Sequence, residues 1–241
     1  MLLEVIVQSV ADARAAEAGG ADRLEIVREI DRDGLTPPLD LVRAIAAETR
    51  LPLRVMVRES DGFGVASARE LMALQHTIAA LALLDVDGAV LGFARGDEVD
   101  LEATRSVLAA APELRVTFHR AFDAIRDQMS ALRTLRDLPQ IDRILSCGGV
   151  GPWEARCARF ADLAAAAGNH LTIIAGGNVD ATGLRALASS ACAREAHVGR
   201  AAREPQTRSA PVSAARVRQL RAIADADNRD DLDAARGWSV R

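Results

Sequence analysis

The chain of 241 residues contains no lysine and no tyrosine, so all 30 residues counted as Lys or Arg are arginine. Without a lysine side chain, the protein has no amine for a Schiff base with a carbonyl substrate and no lysine-based phosphate clamp. Any cationic side chain that binds a substrate must therefore be arginine or histidine.

Cysteine is also scarce, and its spacing excludes some kinds of site. Cys147, Cys157 and Cys192 are scattered through the second half of the chain and form no C-x-x-C motif. This spacing argues against a disulfide framework and against a structural zinc site. We expect these thiols to be buried, because free cysteines prefer protein interiors.

An excess of positive charge is missing too, and the formal net charge is −4. Phosphate backbones require clustered positive charge, so we expect no nucleic-acid partner. The sequence has no apolar run near the roughly 20 residues of a membrane span, and no charged-then-apolar leader. These features predict a protein with no membrane partner and a cytoplasmic location.

Short apolar segments alternate with amphipathic segments along the whole chain, about thirty residues apart, which is the repeat of a βα unit. Eight such units predict a single-domain (β/α)8 TIM-type barrel. A doubly wound open sheet is the alternative, but no G-x-G-x-x-G turn follows the first strand and no linker divides the chain. Strands are predicted over 2–7, 23–27, 53–58, 88–91, 115–119, 143–147, 171–175 and 195–198. Helices are predicted near 10–18, 38–49, 67–83, 101–111, 127–137, 152–167, 180–189 and 211–226.

The helix starts and the C-terminal end give further expectations. Thr36, followed by two prolines, is typical of an N-cap, and Ser67 and Asp100 are candidate caps of the same kind. We expect the barrel domain to cover 1–224. The segment 225–241 is polar and mixed in charge, which predicts a tail that Trp238 could anchor.

Ionisable residues interrupt strands that should be apolar on both faces in a parallel barrel. His119 and His197 lie at or near the ends of the fifth and eighth strands, and Glu25 lies within the second. Function in such barrels concentrates where the strands end, so we predict Glu25, His119 and His197 as acid/base residues. The alternative is a set of interior ion pairs that fixes strand register, which we favour for Glu4.

A second group of residues is typical of an anion site. Glycines follow the sixth, seventh and eighth strands, where barrels often bind phosphate through backbone N–H groups. The alternative is that these glycines only make tight turns. The predicted anion-binding residues are Arg58, Arg120, Asp123, Ser146, Gly176, Gly177 and Gly199.

Seven short motifs occur in order along the chain: L-E-V at 3–5, A-D-R-L-E at 21–25, G-L-T-P at 34–37, T-F-H-R-A-F-D at 117–123, S-C-G at 146–148, A-G-G at 175–177 and H-V-G at 197–199. Together they resemble the CutC family of copper homeostasis proteins, in family order and over positions 3 to about 200. The resemblance implies a TIM-type barrel, a cytoplasmic location, a homodimer and a role in copper handling.

Two functions remain open from the sequence. One is copper binding at the mouth through His119, His197 and Cys147. However, Ile6, Val7 and Val27 occupy positions where family members often carry cysteine, and Cu(I) prefers sulfur ligands. The other is an enzyme that acts by acid/base chemistry on a small anionic or phosphorylated metabolite. The arginine-rich, oxygen- and nitrogen-rich set of candidates favours the second.

Overall fold

The computed structural model describes the backbone of residues 1–235 and the side chains of residues 1–226. Eight parallel strands form a closed barrel in which each strand pairs with its neighbours in the chain, and the first strand pairs with the last. This closure confirms the predicted (β/α)8 barrel and rules out an open sheet. The strands are β1 (Leu2–Val7), β2 (Arg23–Ile26), β3 (Leu53–Met56), β4 (Gly88–Leu91), β5 (Arg115–Phe118), β6 (Ile141–Ser146), β7 (Thr172–Ala175) and β8 (Glu195–Val198).

One helix follows each strand and covers the outside of the barrel. A two-stranded hairpin of Ala94–Arg95 and Glu98–Val99 is inserted after β4. Short 3₁₀ helices also follow β2, β5 and β8, at Ile30–Arg32, Arg120–Ala124 and Arg200–Ala202. The α-helices are α1 (Val10–Gly19), α2 (Leu39–Ala46), α3 (Ala68–Leu81), α4 (Leu101–Leu108), α5 (Gln128–Arg136), α6 (Trp153–Ala167), α7 (Ala181–Ser190) and α8 (Ala214–Ala235).

The alternation of side chains along each strand divides the molecule into two cores. Leu3, Val5 and Val7 of β1 are fully buried in the large cluster between strands and helices. A small second cluster lies near the carboxyl ends of the strands and consists of Val27, Ile30, Met56 and Val90, packed with Ile6. The polar residues on the same faces of these strands therefore point into the barrel.

Two of the three predicted helix caps are confirmed. The side chain of Ser67 accepts the N–H of Glu70, and that of Asp100 accepts the N–H of Ala103. The prediction for Thr36 is wrong, because α2 begins at Leu39 and Pro38 occupies the N-cap position. Thr36 Oγ1 instead accepts the N–H of Arg58 at 2.9 Å, since a residue before proline is driven into extended backbone.

Helix α8 continues to Ala235, so the predicted boundary between residues 224 and 225 falls inside a helix. The predicted anchor Trp238 lies outside the described residues. None of the helices within residues 1–235 is long and apolar enough to cross a membrane.

Candidate active site at the barrel mouth

A cavity of about 420 Å³ opens where the strands end. This volume lies in the range of sites for small molecules. Ionisable groups from β2, β3, β5 and β8 line it beside the apolar side chains of the small interior cluster. Of the predicted site residues, Glu25, Arg58, His119, Arg120, Gly177, His197 and Gly199 line the cavity.

A buried histidine between two carboxylates forms the floor of the cavity. His197 Nδ1 lies 2.7 Å from Glu4 Oε1, and its Nε2 lies 3.6 Å from Glu25 Oε2. Glu4 also accepts a hydrogen bond from Arg23. Because Arg23 and His197 outweigh the effect of burial, the pKa of Glu4 is held well below its ordinary value. Glu4 is therefore a fixed negative charge that orients the imidazole ring.

Glu25 and His197 are neighbours whose pKa values are both raised by their surroundings. Burial raises the pKa of Glu25 from 4.5 to about 7, against the opposing attraction of His197. Burial alone would lower the pKa of His197, but the negative charges of Glu25 and Glu4 raise it. A carboxyl group whose pKa lies near the working pH suits general acid/base chemistry.

His119 is a neutral hydrogen-bond donor. Its Nδ1 accepts the N–H of Ala121 at 3.2 Å, which places the ring proton on Nε2. Burial lowers the pKa of His119 from 6.5 to about 3, and the positive charges of Arg58 and Arg120 add to this. The imidazole therefore stays uncharged at neutral pH and can offer its Nε2–H to a substrate oxygen.

Arg58 contributes a buried positive charge. Its Nε donates to the carbonyl of Gly62 and its Nη1 to the carbonyls of Arg32 and Gly34, each at 3.1 Å. No carboxylate among the described side chains lies within salt-bridge distance of Arg58. Burial lowers its pKa, although the negative charges of Asp33 and Asp61 oppose this effect.

The predicted residues Asp123 and Ser146 lie behind the mouth rather than in it. Asp123 accepts hydrogen bonds from Ser146 Oγ at 2.7 Å, from Arg120 Nε at 3.1 Å and from the N–H of Cys147 at 3.0 Å. These contacts tie the 3₁₀ helix after β5 to the end of β6. Cys147 lines a separate groove of about 820 Å³ bounded by residues of α5 and α6.

The loops after β7 and β8 contribute residues to the cavity wall, and several of their backbone N–H groups have no partner in the described chain. Gly177 and Asn178 have left-handed backbone, with φ of 72° and 61°. We find no acceptor within the described chain for the N–H groups of Gly177, Asn178, Arg200 and Ala201. Packing also explains why glycine occupies both positions after β7. A Cβ at Gly176 would lie 2.6 Å from Leu145, and one at Gly177 would lie 2.4 Å from Cys147.

Several residues of the site were missed from sequence. Phe63 packs edge-on against His119, with ring centroids 5.3 Å apart. Asp33 and Arg208 form an ion pair of 2.7 Å across the rim. They lie in long loops, where no periodic pattern indicates that a side chain turns toward the cavity.

The interior arginines were missed as well. Strand parity could have found them, because each shares a face with a predicted site residue or an interior neighbour. These arginines belong to a continuous series of ion pairs that leads away from the mouth. Its successive members are Glu4, Arg23, Glu195, Arg143, Asp142, Arg54 and Asp87.

The residues at the mouth do not fit a copper ion. No three His, Cys, Asp or Glu side chains in the described part of the chain are grouped as a metal ion would require. A ligand histidine donates its second ring N–H to an acceptor, whereas His119 Nδ1 accepts from Ala121. The thiol of Cys147 faces the other groove, and burial raises its pKa.

A closed parallel barrel with ionisable side chains at the ends of its strands defines a TIM-type barrel protein. The family model described as the CutC family matches residues 1–202, and the chain belongs to this family. The resemblance seen in the sequence motifs is thereby confirmed.

Individual relatives agree with this assignment. The chain is 32% identical to the human copper homeostasis protein cutC homolog over 197 residues, which cover 81% of this chain and 72% of the relative. It is 34% identical to a family protein CutC of Xanthomonas campestris, with 82% of each chain covered. These matches support a role in copper homeostasis at the level of the family.

Solved structures agree on the fold. The crystal structure of CutC from Streptococcus agalactiae matches with a TM-score of 0.75 at 25% identity, over 82% of this chain and 97% of the other. Phosphoribosyl anthranilate isomerase from Thermococcus kodakaraensis matches with a TM-score of 0.63 at 12% identity, over 93% and 99%, and shares the fold alone.

Proposed function

We propose that the protein is an enzyme that moves a proton from one atom to another of a small anionic metabolite bound at the barrel mouth. One observation carries the proposal: Glu25, whose pKa burial raises to about 7, faces His197 at 3.6 Å in a cavity that also contains an unpaired arginine. Perturbed carboxyl groups in a cavity of this size are typical of catalytic sites.

Each cavity residue has a role in this reaction. Glu25, as the carboxylate, removes a proton from one atom of the substrate and returns it to another. The neighbouring imidazole of His197, held by Glu4, stabilises the charged form of Glu25. His119 donates its Nε2–H to the oxygen on which negative charge develops, as a neutral imidazole can. Arg58 and the backbone N–H groups after β7 and β8 are the donors available to the anionic groups of the substrate.

A ligand screen tests the binding part of the proposal. Melting temperatures are measured with sugar phosphates, phosphorylated acids and small carboxylates. An anion that binds the folded state stabilises it by RT ln(1+[L]/Kd), so we expect a saturable shift for at least one class. Melting curves that stay flat across the whole library would overturn the proposal.

Hydrogen exchange tests the chemical part without knowledge of the full reaction. Ligands from the screen are incubated with the protein in D₂O, and the exchange of C–H for C–D is followed by proton NMR. We expect exchange with the unaltered protein and at least a hundredfold slower exchange with Glu25→Gln. Glu48→Gln, which removes a carboxylate on the surface, is the matched control. Exchange at an equal rate in Glu25→Gln would remove Glu25 from the mechanism.

A further inference from the structure

The donors of Arg58 are arranged so that one end of its guanidinium remains available to a ligand. The side chain is 8% exposed, and three loop carbonyls hold Nε and Nη1. Nη2 makes no hydrogen bond within the described residues. It is also not one of the fully buried polar atoms that lack a partner, so its surface is accessible. Since Arg58 lines the cavity, Nη2 is the end that an anion can reach.

A second group of anion donors lies on the opposite side of the mouth. In the closed ring, β7 is four strands away from β3 in either direction. The cavity wall at β7 and β8 includes Gly177, Asn178 and Arg200, whose backbone N–H groups have no acceptor in the described chain. The two anion-binding regions therefore face each other across the barrel.

The groups proposed for proton transfer lie between these two regions. One arc of the ring, through β2, β1 and β8, carries Glu25 and His197. The other arc, through β4, β5 and β6, carries His119. The middle of a ligand that touches both anion regions would lie between the acid/base pair and the neutral imidazole. Apolar side chains cover the walls beside it, namely Ile6, Val27, Ile30, Met56 and Leu145.

We infer that the substrate carries an anionic group at each end, with a carboxylate on Arg58 and a phosphate on the loops after β7 and β8. Only Nη2 of Arg58 is free of loop carbonyls, and one charge-assisted donor suits a small carboxylate better than the three oxygens of a phosphate. Several backbone N–H groups without acceptors on one wall of the cavity suit the three oxygens of a phosphate. This inference rests on the proposed function and specifies its substrate class.

Matched probes test the inference. The pairs are glycerol 3-phosphate with 3-phosphoglycerate, and erythritol 4-phosphate with 4-phosphoerythronate. The members of each pair differ only in whether the far end is an alcohol or a carboxylate. In calorimetric titrations we expect at least one phosphorylated acid to bind tenfold or more tightly than its partner alcohol.

Variants show which region binds which end. Arg58→Gln should reduce the preference for the acid to less than threefold and leave binding of the alcohol unchanged. Arg58→Lys, which keeps the charge, should retain part of the preference. Arg200→Ala, which removes the cationic side chain that lines the cavity beside the backbone N–H groups after β7 and β8, should weaken both members of a pair equally. Circular dichroism and melting temperature confirm that each variant is folded.

Two outcomes would overturn the inference. The first is a titration in which acid and alcohol bind equally, or in which neither acid binds. In that case the proposed function still stands if other anions bind in the ligand screen. The second comes from a crystal structure with 4-phosphoerythronate, which needs no variant. A carboxylate on Arg58 supports the inference, and a carboxylate pointing to solvent contradicts it.

Discussion

The Nδ1 atom of His197 lies 2.7 Å from Oε1 of Glu4, although 193 positions separate the two residues in the chain. The contact joins the first and last strands of the barrel, which pair where the sheet closes. A single buried carboxylate thus links the closure of the fold to the orientation of the imidazole at the candidate site.

We predict that Glu4→Gln destabilises the protein by about 3 kcal/mol, because it removes the carboxylate shared by Arg23 and His197 and leaves the buried guanidinium of Arg23 with Glu195 alone. Denaturant unfolding measures the change in free energy. The variant should also lower the pKa of His197, which NMR titration of the imidazole detects.

The surface pair of Glu48 with Arg14 provides the control for this prediction. Its side chains are 38% and 62% exposed, so Glu48→Gln should cost about 1 kcal/mol or less. A loss in Glu4→Gln no larger than in Glu48→Gln would contradict the assignment of Glu4 as a structural and orienting charge.

A second prediction concerns the pH dependence of stability at Glu25. Its pKa is raised from 4.5 to about 7 in the folded state, so the folded protein binds a proton there more tightly than the unfolded chain does. The contribution of this group to stability is complete below pH 4.5 and is lost as the pH rises to about 7.

Glu25→Gln removes the ionisable group and with it the loss of folding stability at high pH. At pH 8 the variant should be more stable than the unaltered protein by roughly 1–3 kcal/mol, because a tenfold change in proton affinity corresponds to about 1.4 kcal/mol. The difference should vanish near pH 4. Chemical unfolding at a series of pH values checks this, and a Glu25→Gln protein that is less stable at pH 8 would refute it.

A third prediction separates steric from conformational cost at Gly177. Both Gly177 and Gly96 have positive φ, of 72° and 66°, but only at Gly177 would a Cβ meet a neighbour, 2.4 Å from Cys147 Cβ. Gly96→Ala should cost about 1–2 kcal/mol for the left-handed backbone alone. Gly177→Ala should cost about 2–5 kcal/mol, because overpacking is added.

Thermal and denaturant unfolding of the two alanine variants measure this difference. The Gly177 variant should also bind phosphate-containing ligands more weakly, since the loop after β7 must shift. Equal destabilisation of the two variants would contradict the prediction, because it would mean that the loop after β7 can shift with no cost in folding free energy.

A fourth prediction concerns copper. We expect anaerobic titration with Cu(I), against a competing chelator, to give well below one tightly bound ion per chain. The physical reason is that the hydrogen bond from Ala121 fixes the proton of His119 on Nε2, and Cys147 faces another groove. One equivalent that disappears in both His119→Ala and His197→Ala would contradict this, and Cys147→Ser tests the thiol separately.

Much of the fold could be predicted because its information is local. The strands at 2–7, 88–91 and 195–198 have the predicted bounds, and every predicted helix is present. Apolar periodicity and capping residues such as Ser67 and Asp100 act over a few positions. Thr36 failed because its hydroxyl finds a partner 22 positions away, at the end of β3.

The candidate site could be predicted only in part. Strand ends and parity placed Glu25, His119 and His197 at one mouth, and all three line the cavity. The same reasoning did not distinguish their chemistry. Burial and two arginines make His119 neutral, whereas two carboxylates raise the pKa of His197. These effects depend on neighbours that are distant in the chain.

By itself, the sequence determined the number and order of the βα units and the face on which each ionisable side chain lies, because periodicity and propensity are local properties of the chain. The tertiary structure alone decided which charges are paired. Arg23 pairs with Glu4 and Glu195, whereas the guanidinium of Arg58 donates its hydrogen bonds to carbonyl groups. Barrel closure sets these distances, since it brings together strands separated by nearly the whole chain, and Coulomb energy depends on distance in space.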